Sequence, residues 1–77
     1  MDAQTIQATI QSAMPDADVS VTSDDGVHFH ARVVSPAFAG KSSLARHRMV
    51  YATLGSDMGD AIHALALVTH TPEEAAR

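Results

Sequence analysis

Five histidines, His28, His30, His47, His63 and His70, are the unusual chemical resource of this 77-residue chain, which contains no cysteine. Imidazole titrates near neutral pH and ligates transition metals through either ring nitrogen. His28 and His30 form an H-x-H pair. On a strand that spacing puts both rings on one face, where they could chelate a metal ion, although it equally suits the solvated face of an antiparallel strand. His47 falls on the apolar side of a helical pattern and reads as a hydrogen-bonded core histidine. His63 stands at the entrance to an apolar strand, where a side chain can project toward a partner, and His70 closes the same strand. Without cysteine there is no disulfide, thiolate zinc site or thiol nucleophile, so any metal must be held by His, Asp or Glu.

Other catalytic patterns are missing. None of the serines sits in G-x-S-x-G, there is no H-E-x-x-H, and neither common glycine-rich phosphate loop occurs. Asp24-Asp25 and Glu73-Glu74 are pairs at a turn and at a helix start, where carboxylates have local structural reasons to be. A domain of this size also has little room for a concave apolar pocket. No catalytic residue is assigned, and the chain is not expected to be an enzyme.

The formal net charge of -4 conceals an asymmetry. Between Gly26 and Ser56 there is no acidic residue, whereas Arg32, Lys41, Arg46 and Arg48 all lie there; the nine carboxylates occupy the two flanks. Such a distribution predicts a locally basic face that attracts an anionic partner. The start MDAQTIQATI has neither the basic residues nor the apolar run of a signal peptide. No apolar stretch approaches the roughly 20 residues of a membrane helix, so a cytoplasmic protein without membrane association is expected.

The elements that must position these groups follow from periodicity. Asp2 caps a helix with Ala3, Ile6, Ile10, Ala13 and Met14 at helical spacing, ended by Pro15. Ala17 to Thr22 alternates as a strand, and Ser23-Asp24-Asp25-Gly26 suits a tight hairpin into a returning strand from Val27 to Val34. Pro36 closes that strand, and Phe38-Ala39-Gly40-Lys41 forms a loop. Ser42 or Ser43 caps a second helix to about Leu54, with Leu44, His47, Val50, Tyr51 and Leu54 on one face. Arg46 and Arg48 flank that face, and both can reach solvent. After Gly55, Ser56 to Asp60 allows a short turn or helix. Ala61 to Thr69 reads as a buried strand with Leu65 and Leu67 on one side and Ala64, Ala66 and Val68 on the other. Thr71-Pro72-Glu73-Glu74 opens a last helix through a capping box.

The order α-β-β-α-α-β(-α) predicts an α+β fold, a single small domain over residues 1–77. Its three-stranded mixed sheet has the third strand parallel to the second, because a helical crossover is long enough to bring the chain back in the same direction.

Val33-Val34-Ser35-Pro36-Ala37-Phe38-Ala39-Gly40-Lys41, Leu44-Ala45-Arg46-His47-Arg48-Met49-Val50-Tyr51, and Ile62-His63-Ala64-Leu65-Ala66 with Thr69-His70-Thr71-Pro72-Glu73-Glu74 together closely resemble the BolA family, most of all its smaller proteobacterial members. The resemblance spans almost the whole chain: a V-S-x-x-F-x-G loop, an R-H-R-x-V-Y helix and a His-Ala-Leu strand in fixed order. It implies the α-β-β-α-α-β fold related to class II KH domains. It also implies an adaptor that pairs with a monothiol glutaredoxin around a shared [2Fe-2S] cluster, in cluster assembly or transfer and in iron or stress regulation. His63 matches the family's cluster-ligand histidine; the second ligand is sought at the hairpin, where His28 is the nearest candidate and His30 the reserve. The missing cysteine agrees with this arrangement, since thiolates would come from the glutaredoxin and its glutathione. The isolated chain is then expected to be a cofactor-free monomer that forms a heterodimer with its partner. The family's alternative role is transcriptional regulation through DNA, for which Lys41, Arg46 and Arg48 would supply phosphate contacts. A sequence pI of 5.5 is low for a nucleic-acid domain. The chain stops at Ala75-Ala76-Arg77, where many members continue, so a curtailed last helix is expected; abundant alanine at helix and strand positions reduces the apolar area each element buries, so a less stable member is expected.

Overall fold

The computed structural model describes residues 2–55 and 65–77. The expected helix at 56–60, the first part of the expected third strand, and His63 lie outside the described residues. Helix α1 (Ala3–Ala13) is capped by the Asp2 carboxylate, which accepts from the Thr5 N–H. Strand β1 (Asp18–Thr22) pairs antiparallel with β2 (Phe29–Val34), and β2 pairs parallel with β3 (Leu65–His70), in the order β1-β2-β3. A 3-10 turn (Pro36–Phe38) and helix α2 (Ser43–Leu54), capped by Ser42, follow β2; a single turn of helix, α3 (Pro72–Ala75), follows β3. The mixed sheet and parallel third strand are as the element order requires.

Helices α1 and α2 pack on one face of the sheet. Ile6 and Ile10 of α1 and Val50 and Leu54 of α2 meet Val19, Val21, Phe29, Ala31, Val33 and Leu65, which alternate inward along the strands. Phe38, fully buried, enters this core from the 3-10 turn. The turn is held by Ser35, whose hydroxyl accepts from the Ala37 N–H and whose own N–H extends the ladder to the His70 carbonyl. Gly40 follows at φ 75°, a conformation that L side chains rarely adopt, and lets the chain reverse toward α2.

Four expectations need correction. The connection between β1 and β2 spans 23–28, so β2 begins at Phe29 and not at Val27. The Asp25 carboxylate accepts from the N–H groups of Val27 and His28, and these amides therefore serve the turn instead of the ladder. Leu44 is 61% exposed: it sits in the first turn of α2, before the helix reaches the core. Ala13 in the last turn of α1 is likewise exposed. The third strand is an edge strand, with only Leu65 buried and Ala66 and Val68 exposed on the outer face.

The core is small, so single truncations have large consequences. Phe38→Ala is expected to lower unfolding free energy by about 3–5 kcal/mol, out of about 5–15 for a typical domain. Urea denaturation should show this as a large drop in midpoint, while Val27→Ala, at an exposed position, stays within about 0.5 kcal/mol of wild type.

Candidate functional site

The hairpin carries a hydrogen-bonded group built from Ser23, Asp25 and His28. Asp25 Oδ1 accepts from the Val27 and His28 N–H groups at 2.9 and 2.8 Å, while Oδ2 lies 2.8 Å from His28 Nδ1. The Ser23 hydroxyl donates to the His28 carbonyl at 2.6 Å and accepts from the Gly26 N–H at 2.9 Å. Gly26 supplies the positive φ, 74°, that the turn requires. The contact with the imidazole, followed by the two backbone donors, holds the Asp25 carboxyl well below the usual carboxylate range. The His28 side chain is 71% exposed, and among the described residues its ring hydrogen-bonds through Nδ1 alone.

His28 and His30 are not a same-face strand pair. His30 lies within β2 on the outer face of the sheet, opposite Thr22 and Ala66, whereas His28 precedes the strand and turns back to Asp25. Leu65 is registered with Phe29, so β3 begins at the sheet end that carries the hairpin. His70 ends the strand at the far side, opposite Val34. His47 is half-buried with its ring edge-on to Tyr51, centroids 6.3 Å apart, an aromatic contact in place of the expected hydrogen-bonded core role. Among the described residues, no group of three or more His, Cys, Asp or Glu side chains could hold a metal ion.

The basic segment does not form one face. Arg32 projects from the outer face of the sheet, between Ser20 and Val68 in register, while Lys41 and Arg48 are exposed on the loop and helix of the covered side. Arg46, expected to reach solvent beside Arg48, has a side chain only 12% exposed. Its guanidinium makes a bidentate pair with Glu74, 2.7 and 3.3 Å, donates from Nε to the Lys41 carbonyl, and lies 5.9 Å from the Phe38 ring centroid. Glu74 also accepts from the Thr71 N–H and closes the capping box of α3. Arg46 therefore ties α2 to the single helical turn after β3, and each of its three guanidinium nitrogens donates within the fold.

The chain matches the family model described as BolA-like protein over residues 1–74. It belongs to the BolA family. The DNA-binding transcriptional regulator BolA of Escherichia coli is 47% identical over 47 residues, 61% of this chain and 45% of that protein. The bolA homologue of Coxiella burnetii shares 42% identity with a TM-score of 0.85, over 100% of this chain and 99% of the other. The XC975 protein, solved in solution, is 65% identical with a TM-score of 0.66, over 96% and 92% of the two chains. The match to the first curated relatives spans less than half of their length. The family's fold is thus this chain's fold, and the V-S-x-x-F-x-G residues owe their places to it: Ser35 caps, Phe38 packs and Gly40 turns.

Asp25 and Glu74 are the partners that sequence reading passed over. An Asp three residues before a His was visible, but it read as turn chemistry. The pairing of Arg46 with Glu74, 28 residues apart, has no local signal.

Arg46 and the Thr71 N–H hold the Glu74 carboxyl down from 4.5 to about 2. Its contribution to stability is present above pH 4.5 and is lost as pH falls toward 2. Between about pH 4.5 and 2 the stability of wild type should therefore fall more steeply than that of Glu74→Gln, whose profile lacks this contribution and is flatter there. In thermal melts at pH 7, Arg46→Ala and Glu74→Gln should each lower Tm, and the double variant should lose less than their sum.

Proposed function

We infer that this BolA-family chain is an adaptor that shares a [2Fe-2S] cluster with a monothiol glutaredoxin, for cluster assembly or transfer and for iron or stress regulation. The observation that carries the reading is the register of Phe29 with Leu65. It sets the start of β3 at the sheet end that carries His28, and His63 is two residues before Leu65 in the sequence. His63 and His28 are the ligands assigned to this chain, and the remaining ligands are thiolates of the glutaredoxin and glutathione, which a cysteine-free chain cannot supply. The donor set fits this sharing: His28 is exposed, with Nδ1 engaged by Asp25 and Nε2 available. His30 stays in reserve, since no hydrogen bond orients its ring among the described residues. When bound, the cluster supplies iron and sulfide for transfer or an iron- and redox-dependent signal. Imidazole in place of thiolate raises its potential and makes ligation sensitive to protons. Lys41 and Arg48, both exposed, are the cations offered to an acidic partner surface.

A second reading, DNA-binding regulation, is favoured by the name of the Escherichia coli relative, 47% identical where aligned. The structure leaves Lys41 and Arg48 for phosphate contacts, with Arg46 occupied by Glu74. In that case binding is electrostatic and falls steeply with salt.

Two measurements separate the readings. Co-expression with a monothiol glutaredoxin should give a visible-absorbing heterodimer whose spectrum or lifetime changes in His63→Ala and, separately, in His28→Ala; no coloured complex, or an unchanged one in His63→Ala, defeats the adaptor reading. For DNA, Lys41→Ala with Arg48→Ala should reduce the slope of log affinity against log salt by about 2. Binding indifferent to salt would contradict phosphate contact.

A further inference from the structure

The geometry points to Asp25 as a positioning residue that keeps the proton of His28 on Nδ1, so that Nε2 faces outward as an unprotonated donor atom. This rests on the assignment of His28 as a cluster ligand. A neutral imidazole left to itself favours the proton on Nε2, which would block that atom as a donor. A carboxylate can only accept hydrogen bonds, so the 2.8 Å contact between Asp25 Oδ2 and His28 Nδ1 requires the proton on Nδ1.

The carboxylate is itself held in place. Its other oxygen, Oδ1, accepts from the Val27 and His28 N–H groups. The Ser23 hydroxyl closes the same turn by bonding to the His28 carbonyl and the Gly26 N–H. The two oxygens thus have separate tasks: one fixes the backbone that carries His28, and the other selects the tautomer of its ring. A carboxylate on the second nitrogen of a metal-binding histidine orients the ring and raises its basicity. An exposed side chain on a hairpin would otherwise sample several rotamers, and each would have to be ordered when the partner binds.

Asp25→Asn separates the two tasks. The amide oxygen can still accept from the Val27 and His28 N–H groups, but the amide nitrogen faces Nδ1 as a donor, which favours the proton on Nε2. Nitrogen-15 NMR of the isolated chain, at a pH where the ring is neutral, reads the tautomer directly. The expected result is a protonated Nδ1 in wild type and a reversal in Asp25→Asn, with the amide spectrum of the strands unchanged. A wild-type ring protonated mainly on Nε2, or a tautomer ratio that Asp25→Asn leaves unaltered, overturns the proposal. In the glutaredoxin complex, the same substitution should shorten cluster lifetime by about tenfold or more, as loss of such a carboxylate partner does elsewhere. The NMR result decides the role of Asp25 and the coloured complex decides the adaptor reading. A chain with the expected tautomer and no complex therefore defeats only the latter.

Discussion

The parallel pairing of β2 with β3 is the constraint on which the rest of the molecule depends. Parallel neighbours cannot be joined by a hairpin, so the chain between them must cross one face of the sheet. That crossing contains the 3-10 turn and α2, which, with α1, cover a single face and leave His30, Arg32, Ala66 and Val68 exposed on the other. Its register also has a chemical consequence. With Leu65 opposite Phe29, β3 starts where the hairpin ends, and the segment that bears His28 shares that end of the sheet.

Many of the residues that define the family resemblance have structural duties. Ser35 extends the β2–β3 ladder and caps the turn, Phe38 fills the core, Gly40 reverses the chain, and Arg46 joins α2 to α3 through Glu74. A fold with so little apolar area gains from such ties, because few core residues are available to hold the helices against the sheet. The outward-facing histidine at the hairpin is different in kind. Its ring lies outside the core, and its carbonyl and N–H are fixed by Ser23 and Asp25.

The architecture was legible where local chemistry and periodicity agree. Asp2 and Ser42 cap the predicted helices, Thr71 and Glu74 form the predicted box, and alternation in β1 and β2 places Val19, Val21 and Val33 inward. The misread positions lie at element ends. Val27 and His28 continue a strand pattern in sequence, but side-chain acceptors in the turn take their amides. Leu44 obeys the helical spacing of its neighbours, but it lies in the first turn, beyond the reach of the core.

The sequence by itself determined the strand and helix order of the described residues, the capping residues, the absence of thiolate and hence the dependence of any metal held by this chain on imidazole or carboxylate. These are properties of residue type and short spacing. Tertiary structure alone decided that Arg46 belongs to Glu74, that the basic segment divides between two sides of the sheet, and that His28 and not His30 has a carboxylate on its ring. Each depends on where groups meet in space or on a competition for backbone hydrogen bonds, and linear charge and periodicity do not encode the outcome.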